Sequence, residues 1–88
     1  MTSGWNVETA SRARRELRNL DPPVRRRVLE AINRLVGDPP AGDIIRLRGR
    51  EDEWRLRVGD WRVLMYLDSE RRTVLVLRVL PRGRAYDR

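Results

Sequence analysis

At 88 residues, with 20 arginines against 13 acids and a formal charge of +7, the chain has room for one domain (1–88) built around a thin core. It contains no cysteine and no histidine. This excludes disulfides, thiolate nucleophiles, histidine acid–base catalysis and most transition-metal sites, and no cofactor is expected. The first ten residues, MTSGWNVETA, hold no apolar signal core, and no apolar run approaches a membrane span, so a cytoplasmic protein without a membrane partner is expected.

A short strand is predicted around Trp5–Val7. From about Thr9 to Leu20 a helix follows: Ala10, Ala13, Leu17 and Leu20 share one stripe, while Arg12, Arg15, Glu16 and Arg18 lie mostly outside it. Asp21-Pro22-Pro23 ends that helix and begins another, with Asp21 at the N-cap and the prolines where a missing N–H matters least. The second helix, to about Val36, buries Val24, Val28, Ala31, Ile32 and Leu35. Gly37 caps its end and Pro39-Pro40 bars its continuation. So short a connection predicts an antiparallel helical hairpin.

Beyond the loop at 38–43 the period changes from 3.6 to two. Ile45 and Leu47 alternate with Arg46 and Arg48. Three further strands, Trp54–Val58, Trp61–Leu67 and Thr73–Leu80, are separated by Gly59-Asp60 and by residues 68–72. Helices first and hairpin-linked strands second imply an α+β fold in β-α-α-β-β-β order, lengthened by the short segment at Ile45. The helical hairpin is expected to pack on one face of a mainly antiparallel, strongly twisted sheet of four or five strands.

Gly-Asp between two alternating strands is a two-residue hairpin signal, with glycine first as a type II′ turn requires. The register follows: Val58 opposite Trp61, Arg57 opposite Arg62, Leu56 opposite Val63, Arg55 opposite Leu64, Trp54 opposite Met65. Trp54, Leu56, Val58, Trp61, Val63 and Met65 then form a face for the helices. Arg55, Arg57 and Arg62, with Glu53 and Tyr66 further along, lie on the other. The three tryptophans read as core or core-edge residues. Opposed arginines are destabilising, and the charge is uneven: residues 1–44 hold eight arginines against six acids, residues 45–88 twelve against seven. An anionic partner, a nucleic acid, is therefore expected at the C-terminal half, because the planar guanidinium matches a phosphate oxygen pair. The last strand must neighbour the hairpin, which brings Arg82, Arg84 and Tyr86 toward the same patch.

Without histidine, a phosphate loop or clustered aspartates, the chemistry left is metal-free attack of a ribose 2′-hydroxyl on its own phosphate. Arginines would stabilise the developing charge. They hold their protons too tightly to serve as bases. Tyr86 is the first candidate for the base, provided that the cationic cluster favours its phenolate, and Glu53 the second.

These residues carry a family likeness. Ala13, Leu17 and Leu20, the Val-Arg-Arg-Arg-Val of the second helix, and Pro39 followed by Leu47-Arg48-Gly49 all match. So do the block Trp54-Arg55-Leu56-Arg57-Val58-Gly59-Asp60-Trp61-Arg62-Val63 and the Arg82 to Tyr86 tail. Together they resemble the RelE branch of the RelE/ParE toxin superfamily over nearly the whole chain. The resemblance implies a toxin that enters the ribosomal A site and cleaves mRNA there. It also implies neutralisation by an acidic antitoxin protein, with operator DNA met only through that antitoxin. By position, Arg55 and Arg57 match a basic pair, Arg62 a phosphate-binding arginine, Arg82 the tail arginine and Tyr86 a tyrosine that stacks on or deprotonates the substrate. Arg46, Arg48 and Arg84 are assigned to RNA contact. The chain departs from its relatives at Pro81, where many carry His, at Ile45, where some carry a glutamate, and in having arginine where the basic pair can be lysine. The alternatives are a ParE-like inhibitor of DNA gyrase and a non-catalytic basic adaptor, such as a degenerate toxin acting only through its antitoxin.

Overall fold

The computed structural model describes residues 5–37, 44–46 and 53–82. Strand β1 (Asn6–Thr9) leads into helices α1 (Ser11–Arg18) and α2 (Pro22–Leu35); β2 (Ile44–Arg46), β3 (Glu53–Val58), β4 (Trp61–Asp68) and β5 (Thr73–Pro81) follow. They form one sheet in the order β1-β5-β4-β3-β2, in which β1 runs parallel to β5 and the other pairings are antiparallel. The expected α+β architecture is thus the observed one. Pro39-Pro40, Leu47-Arg48-Gly49, Glu51, Arg84 and Tyr86 lie outside the described residues.

The first helix is shorter than its apolar stripe. Thr9 belongs to β1 and pairs with Val76, and Ala10 is still extended (φ −64°, ψ 153°), donating its N–H to the Val76 carbonyl at 2.9 Å. Strand pairing wins at these two positions over an eight-residue helix that could not stand alone. Asp21 does occupy the N-cap of α2, but its side chain makes no capping bond. Instead Arg25 reaches back from α2: its Nε donates to the Leu17 carbonyl at 3.0 Å, and its Nη2 to those of Arg18 and Leu20 at 3.2 and 3.0 Å. One guanidinium thereby ties together the carbonyls of the last two residues of α1 and of Leu20 in the turn that follows.

Ala13, Leu17, Leu20, Val28, Ala31, Ile32 and Leu35 from the helices meet Leu56, Val63, Met65, Val74, Val76 and Val79 from the sheet, with the three tryptophans packed at the margin. The alternation on β5 is broken once. Leu64 pairs with Arg78 but Met65 pairs with Val76, so Leu77 is an extra residue opposite β4. Without this bulge the series Val74, Val76 would continue to Arg78 and drive a charge into the helix-facing core. With it, Val79 points inward and Arg78 does not.

Arg78 is met by Glu16 of α1. Glu16 Oε2 accepts from Arg78 Nε at 2.9 Å and lies 2.8 Å from Nη2, while its Oε1 accepts the Val79 N–H at 2.7 Å. The β1–β5 ladder ends at Thr9 and Val76. Beyond it, a carboxylate takes the place of a strand.

Candidate nucleic-acid interface

The β3–β4 hairpin is closed by Gly59-Asp60. Gly59 has φ +59° whereas Asp60 is not in the left-handed region, as a glycine-first turn requires. All five expected pairs are present, and the ladder extends to Glu53 opposite Tyr66. The turn therefore brings Arg57 and Arg62 together as cross-strand partners, with Arg55 two residues along the same face. Backbone pairing of β2 sets Ile45 against Arg55 and Arg46 against Trp54.

The two members of the arginine pair differ. Arg57 is exposed. Arg62 is only 5% exposed, and its Nη1 donates to the carbonyls of Gly59 at 2.9 Å and Trp61 at 2.8 Å. Its Nε is buried and has no hydrogen-bond partner. Of the two, only Arg57 is open to an anionic partner at the surface. The reason lies in the neighbouring strand: Arg62 pairs with Leu80, and Leu64, Leu77 and Leu80 form a second small apolar cluster apart from the helix-packed core. The sheet is covered on both faces around β4 and β5. Continuous apolar runs in the sequence, Val63-Leu64-Met65 and Val74-Leu75-Val76-Leu77, were the signal for this.

The tail begins at the same end of the sheet. Trp61 pairs with Pro81, and the Arg82 N–H donates to the Asp60 carbonyl at 2.7 Å, fixing the exposed Arg82 beside the hairpin turn. On the helix side of that turn, Val24, Arg27, Val58, Gly59, Asp60 and Trp61 line a cleft of about 270 Å³. Arg27 was not among the residues that sequence reasoning placed near the turn; the helical hairpin brings it there. Of the expected site residues, Arg57, Arg62 and Arg82 lie at the hairpin end of the sheet and Arg55 lies mid-strand in β3, while Arg48, Arg84, Tyr86 and the Arg46 side chain lie outside what is described. Among the described residues no three His, Cys, Asp or Glu side chains gather, and no helix is long and apolar enough to cross a membrane.

Comparison with known proteins agrees with this architecture. Residues 7–86 match the family model of the ParE toxin of type II toxin–antitoxin systems. The archaeal RelE–RelB complex from Pyrococcus horikoshii OT3 contains a chain 30% identical to this one, with a TM-score of 0.78 over 96% of this chain and 99% of that one. The RelBE2 toxin–antitoxin complex of Mycobacterium tuberculosis gives 30% identity and a TM-score of 0.77 over 90% and 99%. The intact E. coli RelBE toxin–antitoxin complex gives 25% and 0.72 over 88% and 95%. With the family model spanning both helices and nearly all of the sheet, the chain belongs to the RelE/ParE superfamily of type II toxin–antitoxin toxins.

Proposed function

We propose that this toxin is of the RelE type, a metal-independent endoribonuclease that cuts mRNA in the ribosomal A site and so arrests translation. The observation that carries the reading is the placing of Arg57, Arg62 and the Arg82 backbone at the hairpin turn, with Arg55 two residues further along β3. Such an arrangement offers several fixed cations to a phosphate whose charge grows in the transition state. In this mechanism a ribose 2′-hydroxyl attacks the adjacent phosphorus, the 5′-oxygen leaves, and a cyclic phosphate and a free 5′-hydroxyl result. Arg55, Arg57 and Arg82 hold the phosphate, and Arg62, held by the turn carbonyls, adds its charge from beneath. Tyr86 takes the 2′-hydroxyl proton or stacks on the base, and Arg46, Arg48 and Arg84 contact the RNA strand.

The partner follows from the relatives solved as RelE–RelB complexes. A +7 chain calls for an acidic antitoxin, which stabilises the toxin by mass action. Co-expression should relieve growth arrest and raise the melting temperature. Mapping of mRNA 5′ ends after induction tests the activity: cuts within translated codons, bearing 5′-hydroxyl ends, are expected. A second reading, inhibition of DNA gyrase by binding, draws on the family model, whose description is that of a ParE toxin. Inhibition of supercoiling with mRNA left uncut would establish it instead.

A further inference from the structure

The outer face of α1 is a second cationic surface, made by different residues from those at the hairpin. Arg12, Arg14, Arg15 and Arg18 are all exposed within eight residues. The helix has one carboxylate, Glu16, and that group is engaged by Arg78 and the Val79 N–H, so it offers little counter-charge outward. Attraction to the negative end of the helix accounts for Arg15 and Arg18 in the last turn, and Arg14 Nη2 donates to the Thr9 carbonyl at 3.0 Å, but neither accounts for Arg12. Like charges at this spacing destabilise a helix that is already short. Ser11, Arg14, Arg15 and Arg18, at i, i+3, i+4 and i+7, line one shallow groove of about 220 Å³.

We propose that this groove grips the phosphate backbone of folded RNA, at a place separate from the strand that is cleaved. The proposal rests on the RNA-directed reading above and assigns it a second site. The lining decides between RNA and an acidic protein segment. A protein interface draws its energy from apolar anchors filling pockets. Ala13 and Leu17 are buried in the core, and among the described residues the exposed large apolar side chains, Val7, Leu29 and Tyr66, lie off this helix. What the groove offers is a hydroxyl and three guanidiniums, of which Arg14 has one nitrogen on the Thr9 carbonyl and its remaining N–H groups for a ligand. Such a set matches phosphate oxygens without regard to base sequence.

The test measures binding of the full-length protein to a fluorescein-labelled RNA hairpin of arbitrary sequence across a salt series, with a polyglutamate peptide as the second probe. The triple substitution Arg14→Gln, Arg15→Gln, Arg18→Gln should weaken RNA binding at least about tenfold at low salt. It should also lower the slope of log affinity against log salt by about two to three, near one for each phosphate no longer neutralised. Replacing the same three by lysine should restore the slope, which a purely structural role for arginine would not allow. Unchanged affinity and slope in a glutamine variant that melts like the parent would overturn the proposal. So would polyglutamate binding that vanishes in the variant while RNA binding persists. Arg57→Gln separates this site from the hairpin: RNA binding with the full α1 contribution but no cleavage by any form would sink the nuclease reading and leave this one standing.

Discussion

Arg57 and Arg62 sit opposite one another across the β3–β4 ladder, yet one is exposed and the other is 5% exposed with two hydrogen bonds to the turn. Like charges on a cross-strand pair suggest that removing either would relieve strain. The burial of Arg62 limits that expectation to Arg57. Arg57→Gln should change stability by less than about 0.5 kcal/mol. Arg62→Gln removes charged donors from two carbonyls at the turn and should cost about 2 kcal/mol, a fall in Tm of roughly 10 °C for a chain of this size. Thermal melts of the two variants side by side measure the difference. Equal melting temperatures would show that the Arg62 bonds do not hold the turn.

Gly59 is the next test of the same turn. Its φ of +59° is open to glycine, and a Cβ added there would meet nothing within 4 Å. The cost of Gly59→Ala is therefore conformational rather than steric and should be about 1–2 kcal/mol. Gly59→Asn should lose less, because asparagine tolerates positive φ better. Urea midpoints at constant slope would check the ranking Gly, Asn, Ala.

Glu16 joins α1 to the open edge of β5. Glu16→Ala leaves the Val79 N–H and Arg78 without their acceptor. The pair is about a quarter exposed, which moderates the loss. A destabilisation of about 2 kcal/mol is expected. Glu16→Gln retains an oxygen for the Val79 N–H and should lose about half as much. A double cycle with Arg78→Gln should show coupling between residues 16 and 78.

The sequence made the hairpin legible because Gly-Asp fixes a turn and the turn fixes every cross-strand pair after it. The helical hairpin was legible from Asp21-Pro22-Pro23 and the apolar stripes. Local pattern could not show that β1 pairs parallel with β5, strands that lie at opposite ends of the chain. Nor could it show the bulge at Leu77: Arg78 looks like one more break in an apolar strand until Glu16 is placed beside it. The burial of Arg62 depends on Leu80 of the next strand, a neighbour that the hairpin register alone does not supply. At the candidate site, residue types identified the arginines, but only the fold distinguishes Arg57, exposed on the surface, from Arg62, which braces the turn.

Tyr86→Phe separates two roles at the tail. The variant keeps the ring and deletes the oxygen. If Tyr86 is the general base, the cleavage step should slow by about 10²-fold or more. If it stacks on the nucleobase, Phe should cleave nearly as fast and Ala should be poor. Full activity in Tyr86→Ala would move the base to Glu53 or to the ribosome itself.

Single-turnover cleavage of mRNA on programmed ribosomes, comparing the parent with Arg57→Gln, tests the nuclease reading most directly because Arg57 is the exposed member of the pair and its loss should spare the fold. The parent should cut A-site mRNA and leave a 5′-hydroxyl. Arg57→Gln should cut about 10²-fold more slowly at an unchanged melting temperature, as expected when one charge-stabilising donor is removed. A folded parent that leaves ribosome-bound mRNA intact, or equal rates for parent and variant, would contradict the assignment of this arginine cluster to RNA cleavage.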